Sequence, residues 1–428
     1  MDISDLYQLF LRHPQVSTDS RRCPAGSMFF ALRGKNFDAN RFAGQALEAG
    51  AEYAVVDRAE YCRGERTILV DDTLKALQGL AQLHRQTLGI PVIGITGTNG
   101  KTTTKELLAA VLSSRFNVLY TEGNLNNQIG VPLTLLRLRR DHEMAVIEMG
   151  ASRPGDIAEL VDIAQPNFGL ITNVGQAHLE GFGSLQGVTR TKGELYDYLR
   201  RTKGVVFINK ENIILHVMAK GIKQVTYGVN NAFITGHCTG CSPFLTFQWQ
   251  QRDSQYTVET QLIGAYNLDN ALAAITVGRY FRIPSGRINR AIASYTPSNN
   301  RSQLKQTVRN HLIVDAYNAN PDSMRAALRN FAAMDVSPKA VILGDMKELG
   351  SESLRLHQEI ADEVRAHRFD QVFLCGEHFA QTTAGKDFTS YPDTQSLAAV
   401  LSRHPLDDFY ILIKGSRSMA LEQLIDLL

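Results

Sequence analysis

The chain has 428 residues, 44% of them hydrophobic and 21% charged, which suits a soluble α/β protein of two or three domains. A net charge of +2 gives no electrostatic basis for binding nucleic acid or an anionic membrane. The N-terminus is acidic where a signal peptide would be basic, and no apolar run reaches about 18 residues. We therefore expect a cytoplasmic protein without stable membrane insertion.

Residues 1–85 are predicted to form a small N-terminal α/β domain. A polar turn at 17–22 leads into an apolar strand at 27–32, and a loop at 33–40 follows that is dense in hydrogen-bond donors. Donors on such a loop suit a polyanionic or sugar ligand, although a solvated loop is the plainer interpretation. A helix from about Leu74 to Thr87 leads into the next domain.

Residues 86–298 are predicted to form a central nucleotide-binding domain around a phosphate loop. A buried strand at 91–95, the glycine loop ending in Gly100-Lys101-Thr102, and a helix by Lys105 give the order that such loops require. Lys101 is placed to reach the outer phosphates and the Thr102 hydroxyl to hold Mg²⁺. The first glycine of the general Walker pattern is absent, since that position is Ile95, and a glycine-rich turn that binds nothing is the alternative.

Polar side chains follow the predicted strands at 117–120, 144–148 and 168–174. The loop after the first contains three asparagines, the second ends in Glu148, and His178 comes shortly after the third. In an open parallel sheet these strand ends form the ligand-binding edge. Glu148 is therefore a candidate Mg²⁺ ligand and His178 a candidate ligand beside the nucleotide, while a charge that merely ends a strand and a structural histidine are the alternatives.

The later part of this domain offers three further features. Lys192 lies on the polar face of a helix, where a lysine is ordinarily solvated or salt-bridged. Alternating residues at 220–262 predict a small antiparallel appendage; Cys238 and Cys241 within it are interpreted as free thiols, with half a zinc site or a redox pair as alternatives. Asn267 and Asn270, three residues apart, share a helical face, where they can pair with a purine edge or, for Asn267, cap the helix.

Residues 299–428 are predicted to form a C-terminal α/β domain after a linker at 295–300. Apolar strands at 312–315, 340–344, 371–375 and 409–413 alternate with helices, which favours a mainly parallel, Rossmann-like sheet. The first of these strands ends in a carboxylate, Asp315, and a polar Tyr-Asn-Ala-Asn-Pro stretch follows it. The five cysteines of the chain are scattered and odd in number, which argues against a disulfide framework.

Together these motifs resemble the Mur ligase family, the ATP-dependent amide-bond-forming enzymes of peptidoglycan precursor synthesis. The resemblance spans essentially the whole chain and includes the phosphate loop at 97–102, Glu148, His178, Lys192-Gly-Glu and Tyr-Asn-x-x-Asn at 266–270. Segments at 121–130, 315–321 and 344–350 resemble the branch that adds D-alanyl-D-alanine. The Asp-Asn-Pro-Arg segment of the branch that adds the third amino acid is absent, and Asn300-Arg301 replaces the more usual Gly-Arg.

The resemblance implies that ATP activates the carboxylate of UDP-N-acetylmuramoyl-tripeptide as an acyl phosphate, which the amine of D-alanyl-D-alanine then attacks. It implies Lys101, Glu148, His178 and Lys192 as catalytic residues, two Mg²⁺ ions held by Thr102, Glu148 and His178, and Lys192 carbamylated by CO₂. The implied ATP-binding residues are Gly97, Thr98, Asn99, Gly100, Lys101, Thr102, Thr103, Asn267, Asn270, Arg301 and Asp315. The implied substrate-binding residues are Ser20, Arg21, Asn124, Asn126, Asn127, Tyr317 and Asn318, with the UDP end in the first domain and the dipeptide in the third.

Two alternatives remain at this stage. One is a sibling ligase that adds a single amino acid, including a folate-polyglutamate ligase. The other is a nucleotide-binding relative without activity, which the intact Lys101, Glu148, His178 and Lys192 disfavour. The family resemblance further implies a monomer.

Overall fold

A computed structural model describes residues 1–298, 300–383 and 388–428 of the chain. The described residues form three separate α/β units, each built on its own mainly parallel sheet or sheet segment, so the predicted fold class is confirmed. The domain boundaries near residues 85 and 298 stay predictions. None of the helices in the described residues is long and apolar enough to cross a membrane.

The N-terminal unit is a four-stranded parallel sheet in the order β1-β2-β5-β6, with a two-stranded β3-β4 hairpin beside it. Its strands are β1 (Val16–Ser17), β2 (Met28–Phe30), β3 (Arg33–Gly34), β4 (Phe37–Asp38), β5 (Tyr53–Val56) and β6 (Thr67–Leu69), and its helices are α1 (Ile3–Arg12), α2 (Ala43–Glu48) and α3 (Thr73–Leu88). Helix α3 packs against the central unit, and its Arg85 donates to the carbonyls of Ala164 and Gln165 there.

The central unit is a nine-stranded sheet in the order β15-β14-β13-β12-β11-β10-β7-β9-β8. Its strands are β7 (Val92–Thr96), β8 (Val118–Tyr120), β9 (Met144–Glu148), β10 (Phe168–Ile171), β11 (Val205–Asn209), β12 (Lys223–Gly228), β13 (Ile234–Cys241), β14 (Phe244–Gln251) and β15 (Ser254–Ile263). Its helices are α4 (Lys101–Ser113), α5 (Gly130–Leu135), α6 (Asp156–Ala164), α7 (Leu179–Phe182), α8 (Leu185–Arg201), α9 (Ile213–Met218), α10 (Asn267–Tyr280) and α11 (Ser285–Ser294).

The antiparallel stretch predicted at 220–262 is present, but it is not an appendage. Strand β12 is parallel to β11, β13 pairs in parallel with β12, and only β13-β14-β15 run antiparallel, so the stretch continues the central sheet. Helix α10 packs on this continuation and on α4, which joins the two halves of the unit through one apolar cluster. The alternation in the sequence was interpreted correctly; the sheet partner could not be inferred from it.

The C-terminal unit is a six-stranded sheet in the order β16-β17-β21-β18-β19-β20, parallel except for the β16-β17 pair. Its strands are β16 (Gln303–Gln306), β17 (His311–Asp315), β18 (Lys339–Gly344), β19 (Gln371–Cys375), β20 (Thr389–Tyr391) and β21 (Tyr410–Lys414), and its helices are α12 (Pro321–Ala333), α13 (Ser353–His367), α14 (Glu377–Ala380) and α15 (Thr394–Arg403). Asn299, in the predicted linker, lies outside the described residues.

Candidate active site

A cavity of about 810 Å³ lies between the central and C-terminal units, at the carboxyl ends of β7, β9 and β10. It contains most of the predicted site residues, which are drawn from both units. From the central unit it is lined by Thr98, Asn99, Gly100, Lys101, Thr102, Thr103, Asn126, Asn127, Glu148, His178, Asn267 and Asn270, and from the C-terminal unit by Arg301, Asp315, Tyr317 and Asn318. Residues more than 200 positions apart in the chain therefore share one binding space.

The glycines of the phosphate loop pack closely against neighbouring side chains. Gly100 has a left-handed backbone with φ of 77°, and a Cβ there would lie 2.6 Å from Asn270 Oδ1. A Cβ on Gly97 would lie 2.0 Å from Thr172 Oγ1. Helix α4 begins at Lys101 with no side-chain cap on its first N–H groups. These N–H groups and the positive end of the helix dipole favour an anion in the loop.

Two lysines beside the loop supply positive charge in a largely dry setting. Lys101 Nζ donates to the carbonyls of Gly97 and Thr98 at 2.8 and 3.0 Å, and burial lowers its pKa to about 8. Lys105, which is 1% exposed, lies 3.9 Å from Glu148 Oε2 and 3.8 Å from Glu106. Burial lowers its pKa too, against the opposing effect of Glu148. An anionic ligand would restore the preference of both lysines for the charged form.

Glu148 is the buried carboxylate of the site, at the end of β9. Its Oε1 accepts hydrogen bonds from Asn126 Nδ2 at 2.8 Å and from Thr102 Oγ1 at 3.3 Å. Its Oε2 is buried and has no hydrogen-bond partner in the described residues. A buried carboxylate oxygen left without a partner is costly, and a cation is its natural complement.

The two asparagines of α10 form a connected pair instead of a helix cap. Asn267 lies within the first turn and donates to Ile263 O at 2.8 Å, while Asn270 donates to Asn267 Oδ1 at 2.8 Å. Asn270 Oδ1 accepts from Thr104 Oγ1 at 2.9 Å. The capping alternative for Asn267 is therefore wrong, because no side-chain cap is made there. The pair ties α10 to the phosphate-loop helix and leaves both amides at the cavity wall.

The C-terminal unit contributes an arginine stacked on a tyrosine. The Arg301 guanidinium lies 3.7 Å from the centre of the Tyr317 ring, and its buried Nε has no hydrogen-bond partner in the described chain. The Arg417 guanidinium lies 5.1 Å from the same ring. Asp315, at the end of β17, pairs with Lys414 and accepts from the backbone N–H of Ser302 at 3.2 Å. The C-terminal unit therefore contributes the stacked Arg301 cation, which has an unused hydrogen-bond donor, and the Asp315 carboxylate, whose charge is balanced by Lys414.

His178 follows β10 and faces both the cavity and the C-terminal unit. Its Nδ1 is in hydrogen-bond contact with the carboxylate of Glu348, whose backbone carbonyl accepts from the N–H of Glu180 at 3.2 Å. Burial lowers the pKa of His178, and the neighbouring Glu348 opposes that shift. His178 and Glu348 both have left-handed backbones, with φ of 52° and 62°.

Lys192 lies on α8 behind the cavity wall and is buried, with 2% of it exposed. Its Nζ lies 5.7 Å from the centre of the Phe182 ring, and no hydrogen bond or ion pair joins it to any residue that the structure describes. Burial, followed by the charge of Lys101, lowers its pKa to about 7. The neighbouring Glu194 points elsewhere, accepting from the N–H groups of Gly155 and Ala158 at the start of α6. Lys192 is thus a buried amine without an ion pair in the described residues, and the charges of Asp156 and Glu194 only partly offset the effect of burial.

The predicted substrate residues of the N-terminal unit do not line the cavity. Arg21 is exposed and pairs with Asp19, whose pKa it lowers to about 2, and Ser20 is half-buried beside it. In the donor-rich loop, Arg33 pairs with Asp57 at 2.9 Å and buried Asn40 donates to the same carboxylate at 2.8 Å. Both donors are already bound to Asp57 within the protein, which neither the ligand interpretation nor the solvated-loop interpretation predicted. The list of predicted residues outside the cavity wall is completed by Asn124, Gly97 and Lys192.

Several residues of the site were missed from the sequence. Asn173 fixes the loop by accepting from Asn99 N at 2.9 Å and donating to Asn99 O at 3.1 Å. Asn320 Nδ2 donates to Asn99 Oδ1 at 2.7 Å, and Asp322 accepts from Gln176 N at 2.8 Å. The Thr-Asn pair at the end of β10 was a usable signal for Asn173. Contacts between two units leave no such signal in the sequence.

Cys238 and Cys241 lie on β13, far along the sheet from the phosphate loop. Both thiols are free; Cys238 is exposed, and Cys241 Sγ lies 3.4 Å from Asn330 Oδ1 of the C-terminal unit. Among the residues described, no three His, Cys, Asp or Glu side chains group as a ready metal site.

Family models match three consecutive parts of the chain. They are described as the Mur ligase family catalytic domain at residues 14–85, the Mur ligase middle domain at 95–278, and the Mur ligase glutamate ligase domain at 300–417. The chain is 33% identical to the UDP-N-acetylmuramoyl-tripeptide–D-alanyl-D-alanine ligase of Bacillus subtilis, over 99% of this chain and 96% of that one. It is 35% identical to the ligase of the same name from Escherichia coli K12, over 96% and 92%.

Solved structures agree along the whole chain. A crystal structure of MurF from Acinetobacter baumannii has a TM-score of 0.88 at 30% identity, covering 96% of this chain and 93% of that one. The MurF ligase of Thermotoga maritima in complex with ADP has a TM-score of 0.84 at 26% identity, with 96% of each chain covered.

The isolated Lys192 amine predicts a pH-dependent cost to folding. Its pKa is about 7 in the folded protein and about 10.4 in an unfolded chain, so between these values only the unfolded chain binds the proton. Stability from this residue therefore rises with pH across that window, and the full cost applies below it. We expect Lys192→Met to raise the thermal unfolding midpoint in CO₂-depleted buffer at pH 7, by an amount that shrinks towards pH 10. Lys203→Met, at an exposed lysine, is the control. Equal gains at both pH values would contradict the prediction.

Proposed function

The chain belongs to the Mur ligase family, and we propose that it joins D-alanyl-D-alanine to UDP-N-acetylmuramoyl-tripeptide, with ATP converted to ADP and phosphate. The full-length similarity to curated ligases of that name supports the substrate pair. The observation that carries the proposal is the single cavity in which the phosphate loop and Glu148 face Tyr317 and Asn318 of the C-terminal unit. The activated carboxylate and the incoming amine can meet only where the two units do.

The residues present fit Mg²⁺ bound together with a nucleotide. Glu148 Oε2 is buried with no hydrogen-bond partner in the described residues and has Lys105 Nζ at 3.9 Å, and the Thr102 hydroxyl is 3.3 Å from the other oxygen of the same carboxylate. Mg²⁺ is usually held by one or two carboxylates with substrate phosphates and water, so a protein-only cage is not needed. Thr102 and Glu148 would hold one ion and His178 would help to hold a second. When bound, these ions neutralise the negative charge that shifts from one phosphoryl oxygen to another during the reaction.

The reaction consists of two displacements. The terminal carboxylate of the tripeptide attacks the γ-phosphorus of ATP, the bond to ADP breaks, and an acyl phosphate forms. The amine of D-alanyl-D-alanine then attacks the acyl carbon, a C–N bond forms, phosphate leaves with its electron pair, and the amine loses a proton. Lys101, Lys105 and Arg301 stabilise the negative charge that both steps gather on oxygen.

The nucleotide is bound along the central unit. Residues 98–103 hold its phosphates, and the paired amides of Asn267 and Asn270 hold the adenine edge. Arg301 and Asp315 contact it from the third domain, so docking of that domain completes the site.

The Lys192 amine has the properties that carbamylation requires. Only a neutral amine adds CO₂, and burial already lowers the pKa of this group to about 7. The carbamate would be an anion among the cations of the site, close enough for the charge of Lys101 to be felt. It would replace an uncompensated amine by a compensated acid, and so support the nearby metal ions.

The remaining substrate contacts follow from the same arrangement. Ser20 and Arg21 bind the UDP end in the first domain, Asn124, Asn126 and Asn127 lie along the path of the peptide, and Tyr317 and Asn318 face the dipeptide. ATP and the UDP-linked peptide are polyanions that do not cross a membrane unaided, which places the enzyme in the cytoplasm. The chain is proposed to act as a monomer.

A panel of amines tests the proposed substrate. The protein is incubated with ATP, Mg²⁺ and UDP-N-acetylmuramoyl-tripeptide. Phosphate release is then measured with D-alanyl-D-alanine or with single amino acids, L-glutamate among them. We expect release with the dipeptide alone. Release with a single amino acid and none with the dipeptide would assign a sibling ligase instead, and nucleotide binding with no turnover on any amine would indicate an inactive relative.

Removal of the loop lysine tests the electrostatic account of catalysis. Lys101→Ala should lower kcat by about 10²–10³ or more, because the phosphoryl charge loses a preorganised cation. Lys223→Ala, at an exposed lysine on β12, should leave kcat unchanged. Steady-state phosphate release with saturating dipeptide measures both. A Lys101→Ala enzyme with wild-type kcat would exclude this role.

Chemical rescue tests the carbamate. Lys192→Ala should lose activity and regain part of it when short carboxylic acids are added, because the acid replaces the missing anion. Bicarbonate should also raise the thermal midpoint of the wild type but not of Lys192→Met. Full activity after CO₂ depletion, together with no rescue by any acid, would refute carbamylation.

A further inference from the structure

The segment 346–350 of the C-terminal unit docks on the start of α7 in the central unit. It has the sequence Met-Lys-Glu-Leu-Gly and follows the Asp345 turn after β18. The mechanism above uses none of its side chains, although the segment lies at the edge of the site. Its contacts are therefore unexplained by nucleotide or peptide binding.

Three independent contacts hold this segment against the central unit. The Glu348 carboxylate contacts His178 Nδ1, and the Glu348 carbonyl accepts from Glu180 N at 3.2 Å. Leu179 packs on the apolar cluster that contains Met346 and Leu349. Gly350 has φ of 57°, a left-handed backbone that glycine adopts without strain, and a Cβ there would be in ordinary van der Waals contact with Glu180 Cα at 3.5 Å.

The Glu348 carboxylate contacts ring nitrogen Nδ1 of His178, so this contact does not use the other ring nitrogen, Nε2. Only Nδ1 of His178 has a partner in the described residues, and that partner is a carboxylate. A neutral imidazole that donates its Nδ1–H to a carboxylate presents the Nε2 lone pair in a fixed direction. His178 also lines the cavity that contains the phosphate loop.

Both partners have left-handed backbones that are unfavourable for residues with a side chain. His178 has φ of 52° and Glu348 has φ of 62°. Left-handed backbones are sterically unfavourable for residues with a Cβ, and here two of the twelve non-glycine residues of this kind in the described chain are in direct contact. An ordinary surface ion pair, worth little by itself, would not require this geometry on both sides.

We infer that Glu348 is a positioning residue that orients the His178 ring for a divalent metal ion only while the C-terminal domain is docked. Metal binding at His178 and domain docking are then linked, so that each favours the other. The inference rests on the proposed role of His178 as a metal ligand. It assigns a purpose to the glutamate of the Met-Lys-Glu-Leu-Gly segment that substrate binding does not supply.

Metal titrations without any peptide substrate test this directly. Mn²⁺ replaces Mg²⁺, a β,γ-methylene ATP analogue replaces ATP, and bound Mn²⁺ is counted by electron paramagnetic resonance. We expect Glu348→Gln to weaken one of the Mn²⁺ ions about ten- to hundredfold, the usual effect of losing a carboxylate behind a metal-binding histidine. Glu352→Gln, at a nearby exposed glutamate that pairs with Arg355, should bind as the wild type does.

Domain docking is measured in parallel by small-angle X-ray scattering. In the wild type, Mn²⁺ should shift the radius of gyration towards the compact state, and in Glu348→Gln this shift should be lost. Asn320→Ser keeps the helix cap of α12 but removes the amide contact with Asn99. It should lower the compact fraction before Mn²⁺ is added while keeping the Mn²⁺-driven shift, which separates docking in general from the effect of Glu348.

Unchanged Mn²⁺ affinity in Glu348→Gln would overturn the inference, as would a Mn²⁺-driven shift that persists in that variant. Because neither readout needs D-alanyl-D-alanine or the UDP-tripeptide, the outcome is independent of the amine assay. A protein that fails to ligate the dipeptide yet shows the linkage would support this inference while refuting the proposed function, and the converse result would do the opposite.

Discussion

The interaction on which the site depends is the attraction between a buried set of cations and an anion that the protein itself does not supply. Lys101 donates to the carbonyls of its own loop, Arg301 has a buried nitrogen with no hydrogen-bond partner in the described residues, and Lys192 makes no ion pair there. Burial lowers the pKa of both lysines, so folding holds these groups in a setting that disfavours their charge. A triphosphate, and an acid built on Lys192, would relieve this unfavourable state.

The same reasoning explains why the domains meet where they do. The C-terminal unit brings Arg301 to the cavity, reaches the phosphate loop through Asn320, and contacts His178 through Glu348. These polar contacts are accompanied by apolar packing, because the cluster of the C-terminal unit also contains Ile263 and packs against Leu179 and Phe244 of the central unit.

Much of the fold could be predicted because the local pattern determines it. The strand ending at Glu148 was predicted with the bounds that the structure has, since a short apolar run between polar segments leaves few alternatives. The phosphate loop could be predicted equally well, because local backbone geometry sets the spacing of its glycines and its lysine. The attachment of the 220–262 stretch to the central sheet was not predictable, because pairing between distant strands leaves no local trace.

The site divides in the same way. Lys101 and Glu148 could be identified from position alone, since each ends or follows a strand at the ligand edge. Glu348, Asn320 and Lys105 could not, because their importance arises only when helices and domains are in contact. The burial of Lys192 also could not be predicted from the sequence, because the neighbouring elements that cover this polar helix face are known only from the fold.

The continuation of the central sheet by β12 and β13 has a mechanical consequence. Helix α10 packs between that continuation and α4, so the Asn267 and Asn270 amides are attached to the same body as the phosphate loop. A shift of the C-terminal unit relative to the central unit would therefore leave the spacing between these amides and the loop unchanged.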